Sequence, residues 1–126
     1  KVSEALLTFQ RELIAVMGEL ATDERDRARY LESGYAQLTE AAIEALESMT
    51  YEIELQSPPI SDWILPGGTE LGARLHFART VCRRAERSVH ALFEATEGSL
   101  DEDRIGRYLN RLGDALWALA LSVERG

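Results

Sequence analysis

The stretch "ARTVCRRAERS", residues 78–88, sets Arg79, Arg83, Arg84 and Arg87 on one short segment, in a chain whose formal net charge is -8 and whose only lysine is Lys1. Guanidinium groups stay charged at physiological pH and present a planar fork of donors that matches phosphate oxygens. The chemistry they propose is recognition of a compact polyanion. Between Thr69 and Leu92 five arginines stand against two acids, while the rest of the chain carries nine basic and twenty acidic residues. Positive charge is therefore gathered on one element. Its bland alternative is a set of ion pairs to neighbouring helices or subunits, with the arginine stems covering apolar surface. An extended nucleic acid is a poor guest, because the acidic remainder would repel it.

Those arginines need a scaffold, and hydrophobic spacing supplies one. Four apolar runs step by alternating threes and fours: Val2 to Leu20, Leu31 to Met49, Leu71 to Leu92, and Ile105 to Val123. That step draws one narrow seam along each helix and favours shallow-angle packing, so an all-α, up-and-down bundle with four long helices is expected. On the second run the seam is Leu31, Tyr35, Leu38, Ala42, Ala45 and Met49. On the third it is Leu71, Leu75, Ala78, Cys82, Ala85, Val89 and Leu92, with Arg79, Arg83 and Glu86 along one shoulder and His76 and His90 near the same edge. No sustained period-two alternation predicts a strand.

Breaks fall where turn chemistry places them. "ATDERD" offers Thr22 or Asp23 as the cap of a second helix that runs on through Met49. "SPPISDWILPGGT" is irregular because Pro58, Pro59 and Pro66 lack backbone donors, and Thr69 is suited to cap the third helix. "TEGSLDED" separates the last two helices, with Asp101 or Asp103 as cap.

At 126 residues the chain fits a single domain, 1–126. The lone Cys82 reads as a small buried residue, and apolar runs are too short for a membrane span. A cytoplasmic or organelle-matrix protein is expected. A di-iron bundle needs Glu-x-x-His pairs, which neither His76 nor His90 completes, so no resident metal site is expected. Walker, Gly-x-Gly-x-x-Gly and Ser-His-Asp patterns do not occur.

"DWILPGG" at 62–68, "LHFARTVCRRAER" at 75–87 and "YLNRLGDALWALA" at 108–120 together resemble the PduO-type ATP:cob(I)alamin adenosyltransferases, and "LLTFQRELIAVMGELA" is similar to the family's preceding segment. The resemblance implies a ferritin-like bundle, with five helices in the full family fold. It also implies a homotrimer that binds ATP and corrinoid at its subunit interfaces. The implied activity is transfer of the 5'-deoxyadenosyl group of ATP to the cobalt of cob(I)alamin, with Mg²⁺ and with release of triphosphate. Carried over by position, Arg79 and Arg83 become catalytic. Arg83, Arg84, Ala85, Glu86, Arg87 and Asn110 become ATP contacts, and Trp63 takes the place of a phenylalanine that packs under the corrin. Arg79 matches an arginine that pairs across subunits with an aspartate near the family's N-terminus. That aspartate and the family's phosphate-cradling N-terminal segment have no counterpart here, so a piece preceding Lys1 is expected. Two alternatives stay open from the residues alone: a non-catalytic corrinoid carrier, and a helical oligomerisation module.

Overall fold

The computed structural model describes residues 1–60, 63–96 and 102–125. They form five α-helices: α1 (Val2–Ala21), α2 (Arg27–Glu32), α3 (Glu40–Gln56), α4 (Glu70–Thr96) and α5 (Glu102–Arg125), with a single 3-10 turn at Glu24–Asp26. Among the described residues there is no strand, and no helix is long and apolar enough to cross a membrane. The all-α expectation holds. By contacts the chain divides into two compact units, Lys1–Ala42 and Ile43–Gly126.

In the first unit α1 buries Phe9, Ala15 and Val16, three members or neighbours of its seam. Thr22 ends the helix by returning its hydroxyl to the Gly18 carbonyl at 2.7 Å. Asp23 then caps the 3-10 turn, accepting from the Arg25 backbone N–H at 3.0 Å. The Arg25 guanidinium, and secondarily that N–H, holds the Asp23 carboxyl below its ordinary range.

The second run is not one helix. It breaks between Glu32 and Glu40, where Gly34 takes φ +81, a left-handed conformation that side chains disfavour. Glu19 seals the break from α1, its Oε2 accepting from Leu38 N at 2.8 Å. Leu38 is buried, but Leu31 and Tyr35 are exposed. Beyond the break α3 buries Ile43, Leu46 and Thr50, whereas Ala45 is exposed. The seam there lies one position later than apolar spacing alone suggests.

In the second unit α4 and α5 run antiparallel along each other. Cys82 donates its thiol to the Leu109 carbonyl at 3.2 Å near the middle, and His76 meets Trp117 nearer one end. Thr69 caps α4 as expected, accepting from Gly72 N through its hydroxyl at 2.9 Å. α5 starts at Glu102, which puts Asp103 inside the helix; Asp101 lies outside the described residues. The predicted seam of α5 is buried at Ile105, Leu109, Leu112, Leu116 and Leu119, and so are Tyr108, Ala115, Ala118, Ala120 and Leu121.

On α4 the buried positions are Gly72, Leu75, Cys82, Val89 and Phe93. Leu71 and Leu92, expected on the seam, are 42% and 45% exposed, and Ala85 is exposed. The stripe that faces inward is 72, 75, 79, 82, 86, 89, 93, a strict alternation of threes and fours with two charged members. Arg79 and Glu86 are half-buried on it. An apolar reading slides onto Ala78 and Ala85 because it cannot count a charge as core.

Candidate functional site

Arg79 and Glu86 occupy inward positions two turns apart on α4, and each has found a partner on α5. The Arg79 guanidinium carbon lies 4.9 Å from the centroid of the Trp117 ring, over its face. This cation–π placement fixes a flat, permanently charged group at a partly desolvated position. His76 meets the same indole edge-on, at 5.4 Å between centroids. Glu86 Oε2 accepts from Asn110 Nδ2 at 3.3 Å and lies 3.8 Å from His90 Nε2.

Asn110 is oriented from its other side as well. Arg111 donates from Nη1 to Asn110 Oδ1 at 2.6 Å, and from Nε to Glu47 Oε1 of α3 at 2.9 Å. The amide oxygen being taken by arginine, its NH₂ is turned toward Glu86 and the arginine row. A chain of polar contacts thus runs Glu47, Arg111, Asn110, Glu86 across α3, α5 and α4.

Arg83, Arg84 and Arg87 are exposed, and Arg83 runs its stem over α5 beside Gly113, where an added Cβ would lie 3.9 Å from its Cγ. Among the described residues no carboxylate comes within 4.0 Å of the guanidinium of Arg79, Arg83, Arg84 or Arg87. Glu86 forms no ion pair with an arginine of its own helix among the described residues. By contrast Arg74, on the same helix, is paired with Glu70 at 3.0 Å. Pairing is available to arginines of α4, but the row from 79 to 87 does without it.

Cys82 sits behind this row. Burial first, then the negative charges of Glu86 and Asp114, push its thiol up to about 11. It is a packed thiol and no nucleophile. Ala85 is exposed between the arginines, and Trp63 is 95% exposed in the connection between α3 and α4. The structure therefore brings Arg79, Arg83, Glu86 and Asn110 onto adjoining faces of one helix pair. Arg84 and Arg87 point further outward, and Trp63 stands on a loop whose Ser61 and Asp62 lie outside the described residues. Trp117, Arg111 and Glu47 escaped a reading by sequence. Trp117 hides inside an apolar run, and Glu47 is 64 residues from the arginine it holds.

Among the described residues no group of three or more His, Cys, Asp or Glu could hold a metal ion. With Arg79, Arg83, Arg84 and Arg87 lacking a carboxylate partner among the described residues, the α4–α5 pair carries a concentration of positive charge beside one half-buried carboxylate, Glu86. The family model for cobalamin adenosyltransferase matches residues 1–123, and the chain belongs to that family. It is 36% identical over 126 residues to the corrinoid adenosyltransferase of Mycobacterium leprae, covering 100% of this chain and 65% of that protein. To the corrinoid adenosyltransferase of Bacillus subtilis it is 38% identical over 121 residues, 94% of this chain and 56% of the relative. To the corrinoid adenosyltransferase PduO of Salmonella typhimurium it is 39% identical over 122 residues, 94% of this chain and 33% of that one. The chain thus spans between one third and two thirds of these relatives' length.

Proposed function

We propose that this protein transfers the 5'-deoxyadenosyl group of ATP to the cobalt of a cob(I)alamin-type corrinoid. The Co(I) electron pair attacks the ribose C5', a Co–C bond forms, the C5'–O bond breaks, and triphosphate leaves with the bonding electrons. Cobalt being the nucleophile, no protein base is required. What the protein supplies is alignment and stabilisation of the departing charge, the two contributions that positioned cationic donors make best. Arg83, its stem laid on α5 and its head unpaired, is assigned to the triphosphate, with Arg84 and Arg87 beside it and Arg79 held by Trp117 behind. Asn110 offers its NH₂ to the nucleotide, and Glu86 orients that amide.

Mg²⁺ would arrive on the triphosphate and neutralise part of its charge. Glu86 is the one carboxylate of the row, and with no three-ligand cluster beside it the protein fits the ion only as a single oxygen donor to a metal held by phosphates. Trp63 is assigned to the corrin, where a large exposed indole gives a flat apolar surface. The homotrimer with sites between subunits is part of the same proposal. It has support in Leu71, Phe77, Val81 and Leu92, which leave α4 with exposed apolar surface around the arginines. The relatives' names, corrinoid adenosyltransferase, support a corrinoid as acceptor of an adenosyl group; ATP as the donor and a cytoplasmic or matrix location belong to the same proposal.

The observation that carries the proposal is the arginine row without carboxylate partners in an acidic chain. Incubation of the protein with ATP, Mg²⁺ and chemically reduced cobalamin is expected to produce the absorbance of a Co–C bonded corrinoid. A carrier would bind the corrinoid without changing it. Arg83→Ala is expected to lower kcat/KM for ATP about ten- to a hundredfold, since a hydrogen bond to a charged group contributes roughly 1.5–3 kcal/mol. Equal rates for wild type and Arg83→Ala would remove the assignment.

A further inference from the structure

The last turn of α5 grips both ends of the loop that carries Trp63. Arg125 donates from Nη1 to the Pro58 carbonyl at 3.2 Å and from Nη2 to the Pro59 carbonyl at 3.3 Å. Its neighbour Glu124 accepts from Gly67 N at 3.1 Å through Oε1. Pro58, Pro59 and Pro66 bring no backbone donors to this connection, and adjacent side chains of α5 supply hydrogen bonds to it.

Glu124 is unusual in where it stands. Its side chain is only 6% exposed, and a carboxylate is seldom taken out of water without compensating donors. Space for it is made at Gly72, the first buried residue of α4, where any Cβ would collide with the Glu124 carboxylate. The same Oε1 lies 3.4 Å from His76 Nε2, an atom with no hydrogen-bond partner among the described residues. His76 in turn packs on Trp117, the ring that carries Arg79. One buried oxygen thus joins the loop to the row of arginines through two aromatic contacts.

From this we infer that Glu124 is a positioning residue for the larger substrate. It fixes Gly67, four residues after Trp63, so that the indole is presented in one place, and it ties that end of the connection to the element that receives the nucleotide. Surface packing would not call for a buried carboxylate, a cleared glycine and a histidine at one point; a loop that must be held to a set position would. The inference rests on the proposed function for the identity of the substrate, but the clasp itself can be tested separately.

The experiment compares wild type, Glu124→Ala and Glu124→Gln by amide hydrogen exchange and by steady-state kinetics with each substrate varied. In Glu124→Ala the Gly67 amide is expected to exchange at least about tenfold faster, while peptides from the middle of α5 keep their protection. The KM for corrinoid rises about tenfold, and the KM for ATP stays within about twofold. Glu124→Gln keeps an acceptor oxygen and is expected to recover most of both effects. Gly72→Ala, which pushes the carboxylate away without removing it, should behave as Glu124→Ala does and serves if that variant folds poorly. Unchanged exchange at Gly67, or equal effects on both substrates, would overturn the inference while leaving the activity in place. A wild type that transfers no adenosyl group would sink the functional proposal, and this one with it, even were the loop to loosen as described.

Discussion

Glu86 turns its carboxylate to Asn110 on the neighbouring helix, 3.3 Å from Oε2 to Nδ2, and makes no ion pair with Arg79, Arg83, Arg84 or Arg87 of its own helix. With Arg111 holding the other end of the same amide at 2.6 Å, Asn110 is locked in one orientation by two helices. Residues that share one network do not add independently when mutated. Glu86→Ala and Asn110→Ala, singly and together, are therefore expected to show a coupling of about 0.5–3 kcal/mol in the dissociation constant for ATP, by calorimetry. Strict additivity would mean that the pair does not act as a unit.

Arg79 and Arg83 are expected to separate stability from activity. Arg79 rests on Trp117 and contributes a cation–π contact in the range of about 0.5–2 kcal/mol, so Arg79→Ala should lower stability to chemical denaturation by roughly that much as well as slowing transfer. Arg83, Arg84 and Arg87 have no carboxylate partner among the described residues, and their alanine variants should fall within about 0.5 kcal/mol of wild type in stability while losing ATP affinity. Urea titration of the four variants checks the first half and ATP kinetics the second. A destabilised Arg83→Ala would show that this arginine is structural.

How far the sequence carried the fold can be read from α4 and α5. On α5 the six-residue seam from Ile105 to Val123 is buried or half-buried throughout, because no charge interrupts it. On α4 the inward stripe contains Arg79 and Glu86, and hydrophobic spacing slid by one position onto alanines. The displacement has one cause: the inward face carries two charged residues, which hydrophobic spacing does not count. The arginine row, Glu86 and Asn110 were legible from residue type and motif. Arg111 with Glu47, and Glu124 with Gly67, were not, since each joins residues more than fifty positions apart that only the fold brings together. The break at Gly34 was missed because a heptad pattern continues through it.

The corrected seam has a direct energetic consequence at Leu92 and Phe93. Phe93 is 5% exposed, and truncating a buried phenylalanine to alanine removes contacts and leaves a cavity, for a cost of roughly 3–5 kcal/mol. Leu92, one position earlier, is 45% exposed, and its alanine variant is expected within about 1 kcal/mol of wild type. Urea unfolding of the two variants distinguishes the stripes. A large loss at Leu92 that depends on protein concentration would place this residue in a contact between copies of the chain.

Cys82 gives a prediction in alkaline solution. Its thiol is buried against the Leu109 carbonyl, and burial with two nearby carboxylates raises it from an ordinary 9.0 to about 11. A group whose proton is held more tightly in the folded state contributes its full stability below the unfolded value and loses it as pH rises through the folded one. Between about pH 9 and 11 the unfolded chain releases this proton while the folded chain keeps it, so stability should fall across that window by about 2–3 kcal/mol from this residue alone. Cys82→Ala gives up the packing of the sulfur at every pH but removes the titration. Its stability curve between pH 9 and 11 should therefore be flatter than that of wild type by about that amount. The same burial predicts that the native thiol reacts with a disulfide reagent at pH 8 only as fast as the protein opens, whereas the unfolded chain reacts at once. Equal slopes for the two proteins above pH 9 would mean that the thiolate forms in the folded state as easily as in water, and that the Leu109 carbonyl and the nearby carboxylates do not hold the proton.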